Sequence, residues 1–217
     1  SSYIPIDISE QHLFKTAESL SHDFPEVPVI PVFGDFTSKV ILPKNLNEHT
    51  KRVVYFPGST IGNFTAVEAS SLLSEIASLV GKGGGLLIGV DLVKSQKVLE
   101  AAYNDSSGIT AQFNLNILKR MKRELNVEIR LDKFMHKATY NTAEERVEMH
   151  LESLADQYIK IIGHEFELKA GETIHTENSH KYRLDKFEGM ANSSGLSKIK
   201  IWTDKDNLFS VQYFELP

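Results

Sequence analysis

The feature that most constrains the fold is a series of four short apolar segments in the first half of the 217-residue chain. YIPID, VPVIPVFGD and GLLIGVD end in Asp7, Asp35 and Asp91, and RVVYFPG ends in a glycine turn at Gly58. Amphipathic helical patterns follow the first and the third segment. Apolar strands that alternate with helices are typical of parallel sheets, which bind ligands at the carboxyl ends of their strands. We therefore predict an α/β fold whose ligand-binding edge is formed by these strand ends.

The second half of the chain has a different pattern, which predicts an insertion into the α/β domain. Residues 94–125 have a helical pattern with a break at Gly108, and the segments after them alternate as antiparallel strands do. After a further helix, KIKIWTD and LFSVQYFEL are joined by the turn signal DKDN and predict an antiparallel hairpin at the edge of the sheet. The predicted boundaries are residues 1–102 with 183–217 for the α/β domain and 103–182 for the insertion.

The composition argues against several classes of function. The net charge is −5 and is spread along the chain, so nucleic acid is not the expected partner. The chain has no cysteine, which removes disulfides, thiolate catalysis and cysteine-bound zinc. Because no apolar stretch reaches the roughly 18 residues of a membrane span, we expect a cytoplasmic protein with no membrane partner. The eight histidines show no metal-ligand spacing, and no metal site is expected.

Three strand-end positions are candidates for binding a small molecule. A carboxylate at Asp7 could accept both hydroxyls of a ribose, and Asp35 beside Phe36 offers an acceptor and a flat apolar wall to an adenine. Asn63 can donate and accept hydrogen bonds at once, which suits the head group of an amino acid. Each position also has a structural reading: a solvated acid, a core phenylalanine, or an asparagine that caps the next helix.

Read together, several segments resemble one family, the S-adenosylmethionine-dependent methyltransferases that trimethylate the α-amine of L-histidine in ergothioneine biosynthesis. The resemblance runs from about residue 3 to the end of the chain, and its most specific segments are FPGSTIGN and GETIHTENS. It implies a Rossmann-like class I methyltransferase sheet in residues 1–102 and 183–217, with an antiparallel α+β substrate-binding insertion in residues 103–182. The other matching segments are YIPIDIS, VFGDF, AAYNDSSGITAQFNLNIL and RVEMHL.

The resemblance also implies roles for particular residues. Asp7 would hold the ribose of S-adenosylmethionine, Asp35 and Phe36 its adenine, and Gly58 would lie near its methionine portion. Asn63 and Tyr103 would bind the amino and carboxylate groups of the substrate and serve the transfer step. The residues implied for the imidazole pocket are Met149, Glu177 and Ser179.

A fungal branch of the family methylates a prenylated tryptophan, so the resemblance leaves the amino-acid substrate open. The residue types favour histidine. A carboxylate at Glu177 can accept from a ring N–H, a hydroxyl at Ser179 can satisfy the other ring nitrogen, and Met149 supplies an adaptable apolar wall. An indole would leave these polar groups unpaired.

The chain departs from the family pattern at its start. It begins at what would be the second strand, and the family's glycine-rich loop and N-terminal substrate-site tyrosines have no counterpart here. We expect the sheet, which lacks its first strand in this chain, to be completed by a missing N-terminal segment or by another chain. The 217 residues alone are expected to bind S-adenosylmethionine poorly and to be inactive.

Two other classes of function compete with this interpretation. One is a non-catalytic module that binds an adenosyl nucleotide, which the missing first strand would suit. The other is a nicotinamide-dependent dehydrogenase, whose sheet edge has a similar pattern, although no acid–base histidine motif supports it. A methyl-transfer assay on histidine and a test of nicotinamide cofactor binding separate the three.

Overall fold

The computed structural model describes residues 1–43 and 51–217, and a four-stranded mixed sheet forms its centre. The strand order is β10-β11-β4-β3, in which β3 and β4 are parallel and the last two strands of the chain form an antiparallel hairpin beside β4. This confirms the predicted hairpin at the sheet edge. The strands are β3 (Val53–Phe56), β4 (Gly85–Asp91), β10 (Ser197–Thr203) and β11 (Phe209–Glu215).

Helix α2 (Ala66–Val80) supplies much of the core against this sheet. Its apolar residues recur at helical spacing, and Leu72, Leu73 and Ile76 are buried. Thr65 and Glu68 form a capping box that satisfies free N–H groups of the first turn. Helix α5 (Leu184–Ser193) packs into the same apolar cluster through Phe187 and Ala191, which are also buried.

The first two predicted strands are shorter and more exposed than the sequence indicates. β1 (Ile6–Asp7) and β2 (Val32–Phe33) are parallel to each other in a sheet of their own, and helix α1 (Glu10–Asp23) lies between them in the chain. The prediction of a buried strand over YIPID was therefore wrong, whereas the short strand predicted in VPVIPVFGDF is confirmed at Val32–Phe33. Proline supplies no backbone N–H to a sheet ladder, and three prolines interrupt these segments. They are Pro5, Pro28 and Pro31.

Strand β3 is covered on one face only. Val53 and Tyr55 are 50% and 62% exposed, whereas Val54 and Phe56 pack against the core cluster. Parallel strands covered by helices are usually buried on both faces, and β3 departs from this on the face that carries Val53 and Tyr55.

The segment between β4 and α5 folds as two helices and a separate antiparallel unit, which confirms the helical pattern and the break at Gly108. A three-stranded sheet with the order β5-β6-β9 packs against both helices, and a two-stranded hairpin is inserted between β6 and β9. The helices are α3 (Gln96–Tyr103) and α4 (Ile109–Glu124). The sheet contains β5 (Phe134–Asn141), β6 (Arg146–Ser153) and β9 (Thr173–His180), and the hairpin contains β7 (Gln157–Ile161) and β8 (His164–Leu168).

The two sheets meet where β4 and β9 end. The N–H of Tyr182 donates to the carbonyl of Asp91 at 3.0 Å, and the N–H of Val93 donates to the carbonyl of Tyr182 at 3.1 Å. These bonds place the end of β9 beside the carboxyl end of β4. Side chains of the inserted sheet can therefore reach the edge at which α/β sheets bind ligands.

Residues 1–43 and 51–217 contain neither a membrane-spanning helix nor a metal-binding cluster. No helix there is both long enough and apolar enough to cross a bilayer. No group of three or more histidine, aspartate or glutamate side chains in the same ranges is arranged to hold a metal ion.

Candidate active site

The turn after β3 forms one wall of the site. Gly58 and Ser59 both have left-handed backbones, with φ of 74° and 59°. A left-handed serine is uncommon, and here its hydroxyl compensates by accepting the N–H of Asp91 at 2.9 Å. The turn is thereby tied to the end of β4, and the chain continues into a short 3₁₀ helix, Thr60–Asn63.

The 3₁₀ helix lies directly against β9. A Cβ atom on Gly62 would come within 2.7 Å of the carbonyl oxygen of His180, which is backbone and cannot turn aside. Only glycine permits this approach. The contact holds Asn63 next to the strand that carries Glu177 and Ser179.

Asn63 does not cap the helix that follows it. The N-cap of α2 is Thr65, whose hydroxyl accepts the N–H of Glu68 at 3.3 Å. The Asn63 side chain is therefore not used for capping and lines a cavity instead.

The cavity has a volume of about 360 Å³ and lies between the carboxyl edge of the four-stranded sheet and β9. The structure brings together five residues that the sequence predicted, which come from three distant parts of the chain. They are Gly58, Asn63, Tyr103, Glu177 and Ser179. The remaining lining residues are Ser59, Thr60, Asp91 and Phe209.

Glu177 contributes a carboxyl group to this cavity. Burial raises the pKa of Glu177 above its usual range, and the Asn63 side chain and the charge of Lys181 oppose this shift only in part. The side chain is only partly buried and lines the cavity, where a ligand can reach its oxygens. It is therefore suited to accept a hydrogen bond from a ligand.

Beneath the cavity lies a buried network centred on Lys181. Its ammonium contacts Asp91 Oδ2 at 2.8 Å, Tyr103 Oη at 2.8 Å and Ser179 Oγ at 2.7 Å. The two hydroxyls also bond to each other at 2.7 Å. The other oxygen of Asp91, Oδ1, accepts from Lys94 at 2.6 Å. The network links the ends of β4, α3 and β9 to one another at the base of the cavity.

The other predicted site residues do not line this cavity. Asp7 Oδ1 accepts the N–H of Ser9, and exposed Asp35 accepts from the backbone and hydroxyl of Thr37. Phe36 packs edge-on against Phe56 in the core cluster, with ring centroids 5.5 Å apart.

Met149 is also set back from the cavity. It is buried in a cluster with Leu99, Ala138 and Val147, and its backbone pairs with Glu177. It supports the strand that presents the carboxyl group.

Sequence reasoning missed Lys181, although a signal was present. In TENSHKY the residues at 177, 179 and 181 alternate with a period of two, so a strand that continues past Ser179 places all three on one face. Ser59 and Thr60 lie in the segment FPGSTIGN at the predicted ligand-binding edge, whereas Phe209 left no signal, because its position depends on how the hairpin packs beside β4.

The sequence model of the family described as histidine-specific methyltransferase, SAM-dependent, matches residues 1–216. The chain belongs to this family.

Two curated relatives in the family have the name histidine N-alpha-methyltransferase. The protein from Mycobacterium tuberculosis is 34% identical over 212 residues, which cover 96% of this chain and 65% of the relative. The protein from Mycolicibacterium smegmatis is 35% identical over 204 residues, which cover 93% of this chain and 63% of the relative. The chain thus spans slightly less than two thirds of the length of these relatives.

Solved structures show the same fold. The CcbJ methyltransferase from Streptomyces caelestis has a TM-score of 0.55 at 14% identity, over all of this chain and 80% of that one. An S-adenosylmethionine-dependent methyltransferase from Clostridium acetobutylicum has a TM-score of 0.53 at 10% identity, over all of this chain and 75% of that one. The predicted Rossmann-like methyltransferase fold is confirmed.

Proposed function

We propose that the protein containing this chain transfers methyl groups from S-adenosylmethionine to the α-amine of L-histidine. The observation that carries the proposal is the convergence of Asn63, Tyr103, Glu177 and Ser179 on one cavity at the carboxyl edge of the sheet. The family and the names of its curated relatives support the same reaction.

The residues fit the proposed cofactor. Asp7 ends β1 and Asp35 follows β2, so both carboxylates lie at the carboxyl ends of parallel strands, where adenosine groups bind. Gly58 has no atom within 4 Å of the position that a Cβ would occupy, which leaves room for a ligand beside the backbone. In this proposal Asp7 holds the ribose, Asp35 and Phe36 hold the adenine, and Gly58 lies beside the methionine portion. When bound, the cofactor supplies an activated methyl group on a sulfonium.

The cavity also fits histidine. Asn63, which can donate and accept, would hold the amino-acid head group, and Tyr103 would contact its carboxylate. Glu177 and Ser179 would hold the two ring nitrogens, with Met149 packed behind the strand. A volume of about 360 Å³ is within the usual range for small-molecule sites.

The protein's contribution to the transfer is alignment and control of water. The amine must be neutral to react, and its proton can leave to water in the cavity. Positioning of this kind accounts for a large part of the acceleration that enzymes achieve. We assign cofactor binding to residues 1–102 and 183–217 and substrate binding mainly to residues 103–182.

The test is a methyl-transfer assay with the full-length gene product, S-adenosylmethionine and either histidine or tryptophan, read by mass spectrometry. We expect histidine methylated on its α-amine and little or no product from tryptophan. Failure to methylate histidine, or a preference for tryptophan, would refute the proposal.

A further inference from the structure

The buried ammonium of Lys181 has no assigned part in the proposed reaction. Its side chain is 0% exposed, so it cannot touch a ligand in the cavity directly. A buried charge is costly unless it is fully paired, and the surrounding residues pair it fully. Any effect of Lys181 on a ligand must therefore pass through the groups that it contacts.

The hydrogen bonds around Lys181 restrict the two cavity hydroxyls. An ammonium has three N–H groups and can only donate, and here it has three acceptors: Asp91, Tyr103 and Ser179. Each hydroxyl oxygen therefore accepts from Lys181. The hydroxyls also share one bond with each other, which uses the hydrogen of one of them.

One hydroxyl hydrogen remains, and it cannot point toward the ammonium. Its available direction is the cavity that both hydroxyl residues line. We infer that Lys181 is a positioning residue that makes the Tyr103–Ser179 pair a hydrogen-bond donor toward the ligand. The inference rests on the proposed function, because it takes the ligand to be histidine.

This direction determines which ring the site accepts. When Tyr103 fills the bond between the two hydroxyls, the free hydrogen belongs to Ser179, which donates to the ring while the carboxylate of Glu177, two residues earlier on the same face of β9, accepts. A ring with one N–H and one bare nitrogen satisfies both groups, which is the neutral form of imidazole. A ring without the bare nitrogen leaves a buried donor unpaired.

The experiment compares ligands that differ in this one atom. The dissociation constants of histidine and of the two 3-(pyrrolyl)alanine isomers, in which C–H replaces one ring nitrogen, are measured by calorimetry with S-adenosylhomocysteine present. For the unaltered full-length protein we expect histidine to bind at least roughly tenfold more tightly than either isomer. In Lys181→Met the freed hydroxyl can turn toward Asp91 or water, and the preference should fall to about threefold or less.

Lys94→Met is the matched control. Lys94 pairs with the same carboxylate, at Asp91 Oδ1, and its remaining bond goes to the carbonyl of Leu208. This variant should keep the full preference for histidine. The inference would be overturned if the preference for histidine persists in Lys181→Met or is lost equally in Lys94→Met. In either case the proposed function still stands, provided that the unaltered protein binds histidine. No histidine binding by the unaltered protein would overturn both.

Should Lys181→Met fail to fold, ¹⁵N NMR of labelled histidine bound to the unaltered protein gives the answer. One protonated and one bare, hydrogen-bonded ring nitrogen is the expected result. Two protonated nitrogens would overturn the inference.

Discussion

At the scale of single residues, the proposed recognition of histidine depends on Asn63 and Glu177. Asn63 is released for this role because Thr65 caps the next helix. Glu177 is suited to it because its carboxyl group lines the cavity, and burial raises its pKa by disfavouring the charged form in the free protein.

Replacing Asn63 by Ala should weaken histidine binding much more than cofactor binding. A hydrogen bond to a charged group contributes about 1.5–3 kcal/mol, so the histidine dissociation constant should rise about 10- to 100-fold. Calorimetry with each ligand separately measures both effects, and Asn192→Ala on the exposed surface of α5 is the control. Equal losses for the two ligands would contradict the role of Asn63.

Replacing Glu177 by Gln should stabilise the free protein at neutral pH while it impairs histidine binding. The folded-state pKa of Glu177 lies above its usual value, so the folded protein holds the proton more tightly than the unfolded chain does. Stability therefore falls as the pH rises from the ordinary glutamate pKa through the raised folded-state pKa. The gain in melting temperature should be present at pH 7 and should shrink as the pH is lowered toward about 4.3, the ordinary pKa of glutamate. A variant that is less stable at pH 7 would show that Glu177 is well paired without ligand.

At the scale of elements, the 3₁₀ helix and β9 are held together by the absence of a side chain on Gly62. Gly62→Ala places a methyl group against the carbonyl of His180 and must push Asn63 away from Glu177. Because small misplacements of reacting groups are costly, the rate of methyl transfer should fall by on the order of 100-fold.

Gly189→Ala in α5 is the matched control for this substitution. It has nothing within 4 Å of the new methyl group, and it should gain about 0.5–1 kcal/mol of helix stability without changing activity. If both variants have the same activity, the contact between the 3₁₀ helix and β9 does not set the geometry of the site.

The capping box at the start of α2 is a second element that can be tested. Thr65→Ala removes the hydroxyl that accepts the N–H of Glu68 and should cost about 1 kcal/mol in the free energy of unfolding. Denaturant unfolding measures the change, and exposed Thr142→Ala is the control. A change no larger than that of the control would mean that the cap contributes nothing to stability.

The sequence specified some elements far better than others. Helix α2 was predictable because its core spacing and its cap are local signals. The lengths of strands β1 and β2 were overestimated because the prediction counted their apolar residues but not the prolines among them. The alternation of residues 177, 179 and 181 could have indicated Lys181, but its pairing with Asp91, ninety positions earlier in the chain, has no local signal.

At the scale of the whole molecule, the site exists because the inserted sheet and the four-stranded sheet meet at one edge. The backbone bonds between Tyr182 and the end of β4, and the ion pair between Lys181 and Asp91, join the two. The approximate architecture and much of the site followed from the family resemblance. The cavity wall at Phe209 depends on the packing of distant strands and could not be predicted from local sequence.

Bound histidine should protect both sides of this junction at once. Amide hydrogen exchange should slow in residues 60–63 and 177–181, because the ligand lies between them, while the β7–β8 hairpin provides an internal reference. Protection confined to one of the two segments would mean that the ligand does not bridge them.

The most direct test of the account is a crystal structure of the full-length protein with histidine and S-adenosylhomocysteine. The account predicts histidine in the cavity, with its ring between Glu177 and Ser179 and its α-amine at Asn63, facing the sulfur of the cofactor. Histidine bound elsewhere, or in the cavity with its ring directed toward Asn63 and its amine toward Glu177, would contradict it.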